Sequence, residues 1–172
     1  MLCMIFVGFI KKDESSRTLV ELNEETGRLV TDFFVLYGKH IPLINMGIVG
    51  IAYTVFTLIW AGSLNGPFTA GIFTIVGFAG FGLNLRNVIP ITVGAVLGSM
   101  LNIWPHTSNT LMVIILFGTA LAPFSGYYGP VWGVLAGFIH MCIALNLSSI
   151  TAGINLYNNG FIAGIVVICL LP

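Results

Sequence analysis

Apolar runs and short polar breaks alternate along this chain from residue 42 to its end. The runs occupy residues 42–60, 68–85, 88–104, 110–124 and 130–145, and a shorter one closes the chain at 161–172. None contains a charged residue. The breaks are built from helix-stopping residues: Gly62-Ser63-Leu64-Asn65-Gly66-Pro67, Pro105-His106-Thr107-Ser108-Asn109 and Ser125-Gly126-Tyr127-Tyr128-Gly129. Pro130 suits the first turn of the helix it opens, and the tyrosine pair before it suits a membrane interface. A spanning helix needs ~20 apolar residues, so several runs are short. Short runs interrupted by Gly or Pro are the sequence form of broken or re-entrant helices. The pattern predicts an all-α fold: a polytopic transmembrane helix bundle of about five to six spans. Plain short spans and broken half-helices both remain open.

Composition separates the chain into three parts. Of its 172 residues, 57% are hydrophobic and 7% charged, where a soluble domain carries about 25% charged residues. All six acids lie between Asp13 and Asp32, and five of the six bases between Lys11 and Lys39; only Arg86 falls outside. The formal charge of zero therefore conceals one charged segment and a long uncharged remainder. Residues 1–10 read as the tail of a truncated transmembrane helix. Their apolar stretch precedes Lys11-Lys12, the reverse of a signal peptide. Residues 11–40 read as an amphipathic cytoplasmic linker helix. Thr18 and Glu21 have capping-box spacing, Leu19, Leu22, Leu29, Phe33 and Leu36 recur at near-helical intervals, and Arg28 has i,i+4 partners in Glu24 and Asp32. Such a helix lies on the membrane surface or docks under the bundle. Residues 41–172 form the transmembrane domain, and the short final run predicts truncation at its C-terminus. A cytoplasmic linker sends the 42–60 helix outward and returns Arg86 to the inside, as the positive-inside rule prefers. The localisation expected is the cell membrane, multi-pass.

Glycines recur four apart at Gly94 and Gly98, at Gly129, Gly133 and Gly137, and at Gly160 and Gly164. Small residues at this spacing let helix backbones approach closely in lipid. A second regularity is an echo. Asn65-Gly66-Pro67-Phe68-Thr69-Ala70-Gly71-Ile72 aligns with Asn159-Gly160-Phe161-Ile162-Ala163-Gly164-Ile165 once Pro67 is treated as an insertion, and Asn45-Met46-Gly47-Ile48-Val49-Gly50-Ile51 is a weaker copy. Asn favours helix N-caps, so these are helix starts. At the membrane surface they are simple caps. Inside the membrane, their free amides and dipoles face a cavity and hold an oxygen of a solute. The substrate-binding candidates are therefore Asn65, Gly66, Asn158, Asn159 and Gly160. Asn45, His140 and Asp32 are the intramembrane polar candidates, since polar and ionisable groups in a span are expensive and often functional.

Several motifs together resemble a known family. They are Gly27-Arg28-Leu29-Val30-Thr31-Asp32-Phe33-Phe34, Leu43-Ile44-Asn45-Met46-Gly47, Leu64-Asn65-Gly66-Pro67, Leu101-Asn102-Ile103-Trp104, Phe117-Gly118-Thr119-Ala120-Leu121-Ala122-Pro123, Ala136-Gly137-Phe138-Ile139-His140 and Asn155-Leu156-Tyr157-Asn158-Asn159-Gly160-Phe161. The chain resembles the bacterial membrane family catalogued as domain of unknown function 1576. The resemblance implies a multispanning integral membrane protein, with longer members, and brings no activity or functional residue. Gly82-Leu83-Asn84-Leu85-Arg86-Asn87 departs from that family's more basic pattern at this point.

Enzyme signatures are missing from the sequence. It has no His-Glu-x-x-His, no intramembrane pair of acids and no lysine outside the charged segment. Gly77-Phe78-Ala79-Gly80-Phe81-Gly82 lacks the strand and lysine of a phosphate loop. Cys3, Cys142 and Cys169 have no ligand spacing and read as small buried hydrophobes. The expectation is a non-enzyme with no catalytic residue, metal or cofactor. Its partners are the lipid bilayer, a small polar solute or cation, and the remainder of a longer chain or further copies of itself, with no nucleic acid. Two functions stay open. One is a transporter or channel-like module for a small polar solute, built on an internal repeat. The other is a scaffold or assembly subunit whose glycines are packing faces and whose asparagines are caps.

Overall fold

The computed structural model describes residues 1–10, 17–28, 31–101, 109–147 and 155–171. Lys11-Lys12, Leu29, His106 and Ser148 lie outside them. Helices are the regular structure among the described residues: α1 (Leu2–Ile10), α2 (Leu19–Glu24), α3 (Phe33–Tyr37), α4 (His40–Ala61), α5 (Gly66–Phe78), α6 (Leu85–Met100), α7 (Asn109–Gly118), a 3-10 turn (Thr119–Leu121), α8 (Ala122–Tyr128), α9 (Pro130–Leu147) and α10 (Asn155–Leu170). Among the described residues three helices are long and apolar enough to cross a membrane: His40–Ala61, Asn109–Tyr128 taken as one rod, and Pro130–Leu147. The remaining apolar helices, α5, α6 and the last one, are shorter.

Local chemistry sets the ends. Pro42 falls in the first turn of α4, where its missing N–H has no intrahelical partner to lose. Gly62, at φ 71°, closes the same helix in the left-handed conformation. Asn65 caps α5, accepting from the Phe68 amide at 2.9 Å. Ser125 to Tyr128 do not turn the chain as the sequence pattern predicts; they complete α8, and Gly129 alone, at φ 98°, makes the corner into α9. Similarly, α10 begins at Asn155, several residues before the expected start at Phe161. Its apolar pattern starts late because Asn158 and Asn159, near its start, face protein.

Residue pairs fix the helix directions. Asn45 meets Ala79, and Gly50 lies against Val76, so α4 and α5 are antiparallel. Asn65 meets Asn109, and Gly71 lies under Leu116, so α5 and α7 run together. Pro90 lies on Gly133 and Met141 on Gly98, so α6 and α9 are parallel. α1 lies antiparallel on α4, with Gly8 beside His40 and Gly47 beside Ile5. The centre is α7, where six consecutive residues from Leu111 to Leu116 are all buried. A helix apolar and buried all round belongs in the middle of a bundle. Phe68, Ile75, Ile91, Met141 and Val166 close around it. Outward, Ile59, Phe73, Val131 and Ile168 are exposed. So many large apolar side chains facing out suit lipid rather than water. Cys3 and Cys169 belong to that outer face, not to the interior as expected.

The charged segment is not one helix. Its described residues form α2 and α3, with a turn at Gly27 between them, and dock under one end of the bundle. Thr18 caps α2 as its spacing predicts, accepting from Glu21 N at 3.3 Å. Leu22 and Phe33 are fully buried and pack with Tyr37 and Ile41. The turn is imposed by Gly27, at φ 71°, whose backbone presses on Gly82, at φ 104°. A Cβ on Gly27 would overlap the Gly82 carbonyl. The neighbouring Thr26 carbonyl closes on Gly126 in the same way. Side-chain amides complete the seam. Asn84 Nδ2 donates to Leu22 O at 3.2 Å and Glu25 O at 3.0 Å. Asn87 Nδ2 donates to Gly82 O at 2.8 Å. Tyr37 donates its phenol proton to Glu25 at 2.8 Å, and burial followed by this carboxylate pushes its pKa up to about 12. The raised value predicts stability that is intact below pH ~10 and is lost as pH rises through about 12. Alkaline unfolding of Tyr37→Phe, followed by circular dichroism, should lack that component.

Candidate functional site

Most polar groups buried among the apolar helices are spoken for, whereas His140 Nδ1, like His40 Nδ1 and Ser125 Oγ, has no hydrogen-bond partner. Asn45 is 2% exposed, and its Nδ2 donates to Ala79 O at 2.8 Å and Leu83 O at 2.9 Å. It satisfies carbonyls left free where α5 ends, and this explains an asparagine six residues into an apolar helix. Asn84 and Asn87 form a reciprocal capping box at the start of α6. Asn65 Oδ1 caps α5 while its Nδ2 donates to Asn109 Oδ1 at 3.0 Å, tying the starts of α5 and α7. Gly66 beside it is exposed and has no atom placed to meet an added Cβ. Asp32 is neither a buried cation site nor the partner of Arg28. Its carboxylate caps α3, accepting from Phe34 N at 2.8 Å and Val35 N at 3.3 Å. Arg28 instead stacks on Tyr127, 5.0 Å from the ring centroid.

His140 is different. It is fully buried, ten residues into α9, which places it ~15 Å along the helix from the linker end. Its Nε2 lies 3.0 Å from Asn159 Oδ1 on α10. A carbonyl oxygen only accepts, so Nε2 carries the proton and Nδ1 is left as an acceptor. Nδ1 is buried and has no hydrogen-bond partner. An unsatisfied buried acceptor costs about 1–3 kcal/mol and calls for an explanation. Asn158 and Asn159 are 8% and 2% exposed, whereas Gly160 is on the outside. The echo therefore does not bring its members together. Asn65 sits at the bundle end remote from the linker, and Asn159 faces the interior inside α10. Both helices pack on α7, and they touch each other marginally at most.

The histidine ring rests on Gly118, whose added Cβ would lie 3.0 Å from His140 Cδ2. Gly118 is where the α7–α8 rod breaks. Pro123 has no N–H for the Thr119 carbonyl, so the Ala122 amide takes that carbonyl in a tighter, 3-10 turn. Thr119 is buried, and its hydroxyl returns to Leu116 O at 2.6 Å. On its other side the turn lines a cavity of about 270 Å³ with Gly27, Arg28, Phe78 and Leu83. A cavity under the linker, a broken helix and a buried His–Asn pair thus follow one another inward. The sequence marks His140 and Asn159 singly, but they are 19 positions apart, and only the fold pairs them. The signal for the break was present in Gly118-Thr119-Ala120-Leu121-Ala122-Pro123. Among the described residues no cluster of His, Cys, Asp and Glu could hold a metal ion.

Comparison with curated proteins and with solved structures gives no match. A family model described as protein of unknown function, DUF1576, matches residues 11–172, and the chain belongs to that family.

Proposed function

We propose that this protein is a transporter or channel-like module for a small polar solute, acting in the cell membrane as a multi-pass protein of five to six spans. The observation that carries the proposal is His140 Nδ1, a buried acceptor with no donor, set beside a helix break that opens on a cavity. A solute with an O–H or N–H would satisfy it. Neutral solutes fit best, because the sequence holds no acid and no lysine from residue 40 onward. In this reading α4, α5, α6, α7–α8, α9 and α10 are the spans, the docked linker is cytoplasmic, and the 3-10 turn is the hinge that admits the solute. Internal repeats accompany many transporter folds, and the 65–72 and 159–165 echo is the part of the proposal that sequence alone supports. The site narrows to His140, Asn158 and Asn159, with Asn65 and Gly66 left as a cap at the remote end.

Uptake of a panel of neutral polar solutes into proteoliposomes tests it. His140→Leu and Asn159→Leu each remove one side of the pair and should lower uptake of the transported solute about tenfold or more, the equivalent of one buried hydrogen bond. Asn65→Ser keeps the cap and should leave uptake unchanged. Equal uptake by wild type and both leucine variants, all folded, sinks the transport reading. The scaffold reading has one observation in its favour, the glycine face between α6 and α9, and it predicts no uptake by any variant.

A further inference from the structure

We propose that the groove between α8 and α10, capped by Arg28, holds an anionic phospholipid. The groove has a volume of about 580 Å³ and is walled by Leu121, Pro123, Phe124, Val167 and Leu171, with Tyr127 and Tyr128 at the end where Arg28 stands. Two observations select the occupant. First, the walls are apolar along helices whose outer faces suit lipid, so the body of the ligand is hydrocarbon. Second, the mouth carries a cation with no counter-ion among the described residues. Arg28 is exposed, lies over the Tyr127 ring, and pairs with no carboxylate among the described residues, although Glu24 and Asp32 are near it in sequence. Asp32 is held as a helix cap and Glu25 by Tyr37. A guanidinium beside phenol hydroxyls is a donor set for phosphate oxygens, and tyrosines at this height match the headgroup layer. A phosphate on Arg28 with acyl chains running down past Phe124 and Val167 satisfies both halves of the groove. The turn at Gly27 gives the arrangement a structural reason, because it delivers Arg28 to the end of α8.

The groove shares Arg28 with the cavity of the transport reading, so its test measures lipid binding and not uptake. The detergent-purified full chain is titrated with short-chain phosphatidylglycerol, short-chain phosphatidylcholine or inorganic phosphate. Thermal midpoint and lipid adducts retained in native mass spectrometry are the readouts. Phosphatidylglycerol should raise the midpoint and give a one-lipid adduct; phosphatidylcholine should act more weakly and inorganic phosphate not at all. Arg28→Gln should weaken the phosphatidylglycerol effect about tenfold, the loss expected for one charge-assisted contact. Val167→Trp, which fills the groove without touching the charge, should abolish the adduct. Arg86→Gln, at the same bundle end but outside the groove, should change neither readout. Equal effects of the two lipids on wild type, an unaltered response in Arg28→Gln, or a phosphate effect as large as the lipid's overturns the proposal.

Discussion

Gly94→Ala should unfold much of the protein, although it adds a single methyl group. The Cβ it introduces would fall within the contact distance of the Val134 carbonyl on α9, with the Phe138 amide behind it. Gly137 presents the same situation in reverse, against the Ile91 carbonyl of α6. Both obstacles are backbone, so no rotamer change relieves them. The two helices must separate, and with them the rows Pro90–Gly133 and Gly98–Met141. In lipid, packing of this kind holds helices together in place of a hydrophobic driving force. Overpacking costs typically 1–3 kcal/mol and more where nothing can yield, so a loss of about 3 kcal/mol is expected here. The measurement is the monodisperse fraction by size exclusion and the thermal midpoint in detergent, both of which should fall sharply. Gly164→Ala is the matched control. It has the same chemistry in a helix of similar length, but no atom lies within 4 Å of the new Cβ. Its midpoint should stay near that of the wild type. Comparable losses in both would show that glycine matters here for helix flexibility, not for close approach.

The contrast between these glycines marks how far the sequence could be read. The four-residue spacing identified Gly94, Gly98, Gly129, Gly133 and Gly137 as packing positions, but Gly129, like Gly160 and Gly164 at the same spacing, has no atom within 4 Å of an added Cβ. Spacing reports which residues share a helix face; it does not report whether another helix lies there. Helix positions were legible for the same reason that the chain is apolar: Pro42, Gly62, Asn65, Pro67, Gly129 and Pro130 act locally. The 42–60 and 130–145 runs became His40–Ala61 and Pro130–Leu147. Less legible were contacts between distant residues. The periodic apolar positions from Leu19 to Leu36 predicted one amphipathic helix, yet the close approach of Gly27 to Gly82 folds the segment into two. The site shows both cases. His140 stood out as the ionisable residue of an apolar run, while its unsatisfied Nδ1 and the pairing with Asn159 depend on where α9 and α10 cross. Asn84 was overlooked as a cap, although the Asn84-x-x-Asn87 spacing is itself a capping signal.

Asn84→Ala is expected to release the linker from the bundle. Asn84 is fully buried, and its side chain serves two structures at once. Its Oδ1 accepts from the Asn87 amide at 3.0 Å and starts α6, while Asn87 Oδ1 returns the bond to the Asn84 amide at 3.0 Å. Its Nδ2 holds the last carbonyls of α2 through Leu22 O and Glu25 O. Alanine removes three side-chain bonds together and leaves buried backbone groups unsatisfied, a loss of roughly 3 kcal/mol at about 1 kcal/mol per bond. The two roles can be separated. Asn84→Asp keeps the acceptor that caps α6 and removes the donor to the linker, while placing a carboxylate near the Leu22 and Glu25 carbonyls. Asn84→Ser keeps a cap with too little reach for α2. If the linker seam is the larger part, all three variants should expose residues 17–37 to limited proteolysis, with helix content by circular dichroism falling most in alanine. Should serine and aspartate resist protease as the wild type does, the docking of the linker rests on Leu22, Phe33 and the Gly27–Gly82 contact, and Asn84 is a helix cap alone.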